Sequence, residues 1–167
     1  MNQWFEVKSK CVRQQEDGTL KRVTETYIID ALSFSEAEAR YNKKIGAEIP
    51  GEFNIVAIKI KSIADVFKYE DSEEWYEAKV KFVSIDTDSG KEKKVSNTMI
   101  VTASTVKEAY ERIKGSLSDM TIGFTITDTK QTSIMEVLPY YPELEDKEVD
   151  RRPATAEELE SASQEEK

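Results

Sequence analysis

Two short rows of residues could carry chemistry, and each is a copy of the other. Trp4-Phe5-Glu6-Val7-Lys8-Ser9-Lys10 returns as Trp75-Tyr76-Glu77-Ala78-Lys79-Val80-Lys81. Side chains alternate across a strand, so each row divides into an apolar face and a polar one. The polar face of the first row presents Trp4, Glu6, Lys8 and Lys10. The second presents Trp75, Glu77, Lys79 and Lys81, and Lys59 and Lys61 extend the patch from a later strand. Sheets that bind single-stranded nucleic acid combine cations that track the backbone with aromatic platforms for the bases. A plainer reading stands beside that one. Lysines alternating on a solvated strand are ordinary, a Glu interrupts each row, and a Trp at a strand start packs readily at an interface between units.

The remaining candidates reduce to turns and linkers. Asp86-x-Asp88-x-Gly90 opens like a calcium loop, but such a loop needs a Glu at its twelfth position. Residues 84–97 keep strand character instead, and a hairpin turn explains the acids. Asp71, Glu73 and Glu74 precede Trp75 and could serve acid–base work or a divalent metal; their place between the two rows reads as a solvated linker. The chain has no histidine and one cysteine, which excludes a Cys/His zinc cluster, a Ser-His-Asp triad and a Cys-His dyad. Its six glycines are spread singly, so neither a P-loop nor a dinucleotide fingerprint can be built. Cys11 alternates in phase with Phe5 and Val7 and is expected to be a buried packing thiol. No catalytic residue, metal or cofactor is expected.

The elements that position these rows are duplicated too. Asp17-Gly18 and Lys21-Arg22-Val23 return as Ser89-Gly90 and Lys93-Lys94-Val95. Ala31, Glu36, Ala37 and Arg40 match Ala103, Glu108, Ala109 and Arg112; Phe53-Asn54-Ile55 matches Phe124-Thr125-Ile126. Ser62-Ile63, Val66 and Tyr69 match Ser133-Ile134, Val137 and Tyr140. The offset is 71, then 72 after the first hairpin loop, then 71 again, as duplication with small loop changes would leave.

Each copy reads in one order. An alternating strand leads through a Gly-containing loop, 15–19 or 86–90, to a second strand at 22–32 or 94–103 that is rich in Thr, Ile, Val and Tyr. Ser33 with Glu36, and Thr105 with Glu108, form capping boxes that start helices near 35–44 and 106–117. Phe34, Ala37, Tyr41 and Ile45 are expected to face inward in the first helix, and Val106, Ala109, Tyr110, Ile113 and Leu117 in the second. Third strands follow at 53–61 and 124–129, then short closing elements at 63–69 and 133–141. The expected fold class is α+β, a tandem pseudo-twofold duplication of a ββαβ(β) unit with an antiparallel sheet and one helix per copy. A unit this small buries little surface, so the copies should pack together, either edge to edge or face to face.

Charge separates the two copies from the C-terminal segment. Residues 1–70 hold 11 basic and 11 acidic side chains, residues 71–142 hold 9 and 12, and residues 143–167 hold 4 and 10. The domains are therefore read as 1–70, 71–142 and an acidic, disordered tail at 143–167 that solvates the chain, binds a basic partner or covers a basic face of its own body. No apolar run approaches the ~20 residues of a membrane span. The first residues lack the regions of a signal peptide, and a cytoplasmic setting is expected.

At the repeated motifs, Trp-Phe/Tyr-Glu-Val/Ala-Lys-x-Lys, Lys-x-Val-x-x-x-Tyr/Met and Ala-x-Ser/Thr-x-x-Glu-Ala, residues 1–141 resemble the domain-of-unknown-function family numbered 4494. That resemblance implies a cytoplasmic protein of Bacteroides-type bacteria or their phages, and it carries no activity, cofactor or site. The functional expectation is a non-catalytic binding or adaptor module that presents a doubled sheet surface to a protein partner or to itself. The alternative is single-stranded nucleic acid held on the Lys/Trp faces.

Overall fold

The structure is a computed structural model that describes residues 2–140, so the expected tail lies outside the described residues. The first copy contributes β1 (Gln3–Gln14), β2 (Leu20–Ala31), α1 (Phe34–Lys44), β3 (Phe53–Ile60) and β4 (Asp65–Phe67). The second contributes β5 (Trp75–Ile85), β6 (Glu92–Thr102), α2 (Val106–Ser116), β7 (Phe124–Gln131) and β8 (Ile134–Leu138). The hairpins β1–β2 and β5–β6 turn on Gly18 and Gly90, whose positive φ angles of 84° and 67° an L side chain rarely adopts. Asp86 accepts from the Asp88 N–H and the Ser89 hydroxyl, so both its carboxylate oxygens serve its own turn.

Both helices start as their sequences demand. The Ser33 and Thr105 hydroxyls accept from the N–H groups of Glu36 and Glu108. Each glutamate reaches back one residue further than a capping box requires, to the Leu32 or Ser104 N–H. Ala37, Tyr41 and Ile45 are buried beneath α1, as are Ala109, Ile113 and Leu117 beneath α2. Phe34 and Val106, each 49% exposed, and Tyr110 depart from the expected inward set. Phe34 and Val106 are the first residues of their helices, and Phe34 rests edge-on against Phe5 at 5.0 Å.

The sheets do not follow the boundary between the copies. One has the order β3-β1-β2-β8 and the other β4-β6-β5-β7. Each closing strand leaves its own copy and pairs, in parallel, with the second strand of the other: β8 with β2 through Thr26–Ile29, and β4 with β6 through Met99–Val101. The sheets are therefore mixed, and the unit expected to close on itself closes on its twin. Between the sheets, on the faces opposite the helices, lie Ile28, Ile100, Trp75, Ile134 and Val137, flanked by Trp4, Ile63 and Val66. Every member has its counterpart in the other copy. Of the two arrangements left open by the sequence, this is face-to-face packing with exchanged edges.

Matched arginines hold the exchanged segments. Arg112 on α2 donates to the Thr102 carbonyl at 2.7 Å, to both oxygens of Asp71 at 2.9 and 2.8 Å, and lies 4.1 Å over the Tyr69 ring. Arg40 on α1 donates to the carbonyls of Asp30 and Pro139 and lies 5.3 Å over the Tyr140 ring. Arg40 thus ties α1 to the second copy's closing segment through Pro139 and the Tyr140 ring, and Arg112 ties α2 to the first copy's through the Tyr69 ring and to Asp71 at the boundary between the copies. Arg112→Ala should loosen residues of the first copy. Hydrogen exchange at Val66 and Phe67 should accelerate by about tenfold or more, since a bond from a charged donor is worth ~1.5 kcal/mol or above. Unchanged protection there, with loss confined to α2, would contradict the latch.

Candidate binding surface at the junction of the copies

The sequence-predicted residues fall into two groups, sorted by how far along their strands they lie. The strand starts converge. Trp75 is 4% exposed and Trp4 is half-buried, both within the core between the sheets. Neither indole is an open platform on a free sheet face. Lys61, just past β3, donates its backbone N–H to the Trp4 carbonyl at 2.8 Å. Its ammonium donates to Glu77 Oε2 at 2.9 Å and lies 3.5 Å from Glu6 Oε2.

Glu6 and Glu77 are equivalent positions of the two rows, so one ammonium serves a pair of carboxylates brought together by the pseudo-twofold. Burial alone would push the Lys61 pKa down; the hydrogen bond to Glu77 and the charges of both glutamates outweigh it and raise it above the ordinary value. The second copy has Thr132 where the first has Lys61, and Thr132 donates both its N–H and its hydroxyl to the Trp75 carbonyl. Lys61 is therefore committed to the junction and lost to any open cationic surface.

The unit defined by this exchange coincides with a recognised sequence family. One described as a domain of unknown function, DUF4494, matches residues 3–140, from the start of β1 to the tyrosine under Arg40. The chain belongs to the DUF4494 family. No curated protein matches it. The DUF4494 match spans both copies, so the pair with its exchanged strands is covered as a whole.

The outer halves of the DUF4494 sheets are open. Lys10, Lys59, Lys79 and Lys81 are exposed; Lys8 is partly covered, with its ammonium 3.9 Å from Glu6. Lys59 on β3 pairs with Glu6, Lys10 with Thr24 on β2, and Lys81 with Ser96 on β6. Further out along the same strands, Val12 faces Arg22 and Val83 faces Lys94, and all four are exposed. Each sheet therefore carries the same patch of cations over an exposed valine. The structure brings Trp4, Trp75 and Lys61 together, and keeps the other lysines as two separate rows.

Sequence reading missed a polar cluster inside the first copy. Glu25, 5% exposed, accepts from the Cys11 thiol and the Arg13 Nε, both at 2.8 Å, and from the Tyr27 hydroxyl at 3.2 Å. Close by, the Tyr41 hydroxyl donates to Ser9 at 2.6 Å. At the equivalent places the second copy has Phe82, Asn97, Met99, Ile113 and Val80. The signal was a Glu in phase with Tyr27 and Ile29 on the core face of β2, legible only once that face is known. Cys11 is buried, as expected of a packing thiol. Burial and the adjacent carboxylate of Glu25 push its thiol up, so it stays protonated and inert at neutral pH. Among the described residues no cluster of His, Cys, Asp or Glu has the arrangement of a metal site.

Burial alone would raise the Glu25 pKa, but the bonds from Cys11, Arg13 and Tyr27 outweigh it and hold the group below its ordinary value. Its stabilising contribution is then present above the unfolded-state pKa and lost as pH falls through the lower folded value. Glu25→Gln should cost roughly 1–3 kcal/mol at neutral pH and flatten the fall in stability as pH drops through and below the ordinary carboxylate range, read by urea unfolding. At the junction, Lys61→Met leaves Glu77 only 8% exposed without its cation. The expected loss is about 2 kcal/mol, between the values for exposed and buried pairs, and a second change, Glu77→Gln, should restore most of it. A double-mutant cycle with no coupling would show the pair to be solvated.

Proposed function

We propose that the chain is a non-catalytic binding module that offers its doubled outer sheet faces to a protein partner or to a second copy of itself. The observation that carries this reading is the matched pair of patches, Lys10-Val12-Arg22 and Lys81-Val83-Lys94, exposed at equivalent places on the two sheets. Lysine stems beside an exposed valine form a surface that is apolar underneath and cationic at its tips. Such a surface suits an acidic protein face that also carries aliphatic side chains. Two equal patches on one rigid pair permit two-point attachment, which raises overall affinity without new contacts. A cytoplasmic setting belongs to the same reading. Single-stranded nucleic acid is less well served, because both indoles lie in the junction core and valines occupy the outer faces.

Charge reversal tests the assignment. Proteins captured by the intact chain should crosslink at Lys10 and Lys81 and be lost with the double variant Lys10→Glu, Lys81→Glu. Either single variant should weaken capture by about tenfold or more, while Lys114→Glu on α2 should leave it unchanged. If the partner is a second copy, sedimentation velocity should show a dimer that the double variant abolishes. A chain that stays monomeric and captures the same proteins with both patches reversed would overturn the proposal. Salt-sensitive oligonucleotide binding lost in the double variant would reassign the faces to nucleic acid.

A further inference from the structure

The strands β3 and β7 each end a sheet, with β1 or β5 on one side and no strand on the other. Along β7 the direction of the backbone groups alternates. The Thr132 N–H bonds to the Trp75 carbonyl, so Lys130 and Asp128 also turn their backbone groups toward β5, and Gln131 and Thr129 turn theirs outward. Such an edge is a template for another strand.

The helix beside this edge leaves apolar side chains uncovered. Val106 and Tyr110, marked as inward by the helical pattern, are exposed. With Ile126 they line an open groove of about 630 Å³ between α2 and β7. Lys107, on the same lining, lies 4.0 Å from Glu111. At the matching places the first copy has Phe34 packed on Phe5, Ile58 against the same cluster, and Glu38 for Tyr110. The two edges share a bulge but not the side chains around it.

Charge selects the occupant. Thr129 pairs with Ala78 of the core beneath α2, so Asp128 and Lys130 lie on the opposite face, across from Lys79 and Glu77 of β5. Among the described residues neither Asp128 nor Lys130 makes an ion pair. Two β7 strands that meet about a twofold axis run antiparallel, and a register centred on Thr129 joins the outward groups of both Thr129 residues. That register sets Asp128 opposite the partner's Lys130, twice. Across the joined sheets the charges then alternate: Lys79, Asp128, the partner's Lys130, the partner's Glu77. The same register on β3 would set Ala57 opposite Lys59, which leaves the lysine unmatched.

We propose that a second copy of this chain docks on the β7 edge in an antiparallel ladder centred on Thr129, with Val106 and Tyr110 of both copies covering the joint. The bulge at Thr127 limits the ladder to the residues after it, so the interface is small and the dimer weak. The edge is separate from the outer lysine faces, and the proposal does not rest on them.

Sedimentation velocity of the full chain should show a monomer–dimer equilibrium with a Kd of about 100 μM or tighter. Asp128→Lys sets lysine against lysine, and Lys130→Asp sets aspartate against aspartate. Each variant alone should associate about tenfold more weakly or worse. An equimolar mixture of the two should recover association, because the mixed pair has opposite charges at both contacts. Recovery also shows that both variants fold. Tyr110→Glu, which copies the first repeat, should weaken the dimer as well. Hydrogen exchange at Thr129 and Gln131 should slow as chain concentration rises, while Ile58 and Ile60 on the other edge stay unchanged. A chain that is monomeric at about 500 μM would overturn the proposal. So would a dimer indifferent to both charge changes, or single variants whose mixture stays monomeric. A dimer lost with Lys10→Glu, Lys81→Glu and untouched by Asp128→Lys would belong to the outer faces instead.

Discussion

The fold rests on the exchange of its closing strands. A three-stranded sheet with one helix leaves an open edge on its second strand and an uncovered face behind it. Both are satisfied by the other copy: β8 completes the first sheet, β4 completes the second, and the inward residues of these strands fill the space between the sheets. Burial of aliphatic and aromatic side chains there is worth ~1.5–3 kcal/mol for each fully covered residue, an amount that a unit of this size lacks when alone. The arginine latches follow from the same arrangement, because each helix packs beside the edge at which a foreign strand arrives. Edge pairing, junction core and latches are consequences of one topological decision.

Duplication did not leave the copies equivalent. At the pseudo-twofold, one lysine stands between two glutamates, and the second copy supplies threonine instead. Beneath the helices, one core is polar at Glu25, Cys11, Tyr27, Tyr41 and Ser9, while the other is mostly apolar at the matching places. A carboxylate buried among hydrogen bonds from a thiol, a guanidinium and a phenol tolerates few neighbours, since a missing partner would leave charge in a low-dielectric interior. The Tyr41–Ser9 hydrogen bond adds a polar link from α1 to its own sheet that the second copy, with Ile113 and Val80, does not have. The free edge strands, by contrast, stayed alike. Each carries a bulge at the same place, at Val56 and Thr127, that interrupts the ladder against β1 or β5, a feature that discourages unwanted strand pairing.

The two ends of the doubled strands differ in burial in this DUF4494 protein. Near Trp4 and Trp75 the faces meet and enclose a cleft whose walls both copies supply. Further along, Lys10 and Lys81 are exposed to solvent. Alternation places Trp and Lys on one face, but distance from the junction determines which of them is covered. The same row of residues therefore supplies an interface at one end and an exposed patch at the other.

What could be read from the chain alone was local or periodic. The duplication, the order of elements, the hairpin turns at Gly18 and Gly90, the capping residues Ser33 and Thr105 and the buried phase of Cys11 all follow from short-range backbone chemistry and side-chain alternation. Even the repeat of Ile63, Val66 and Tyr69 as Ile134, Val137 and Tyr140 was visible, though without its reason. Partner choice was decided only in three dimensions. Two copies of one sequence pattern present chemically similar strand edges, so nothing local distinguishes a strand that returns to its own sheet from one that crosses to its twin. The same holds for Lys61, indistinguishable in sequence from the exposed lysines around it until the fold brings Glu6 and Glu77 to either side. Burial, pairing and charge compensation depend on contacts between residues far apart in the chain, and only the assembled pair brings them together.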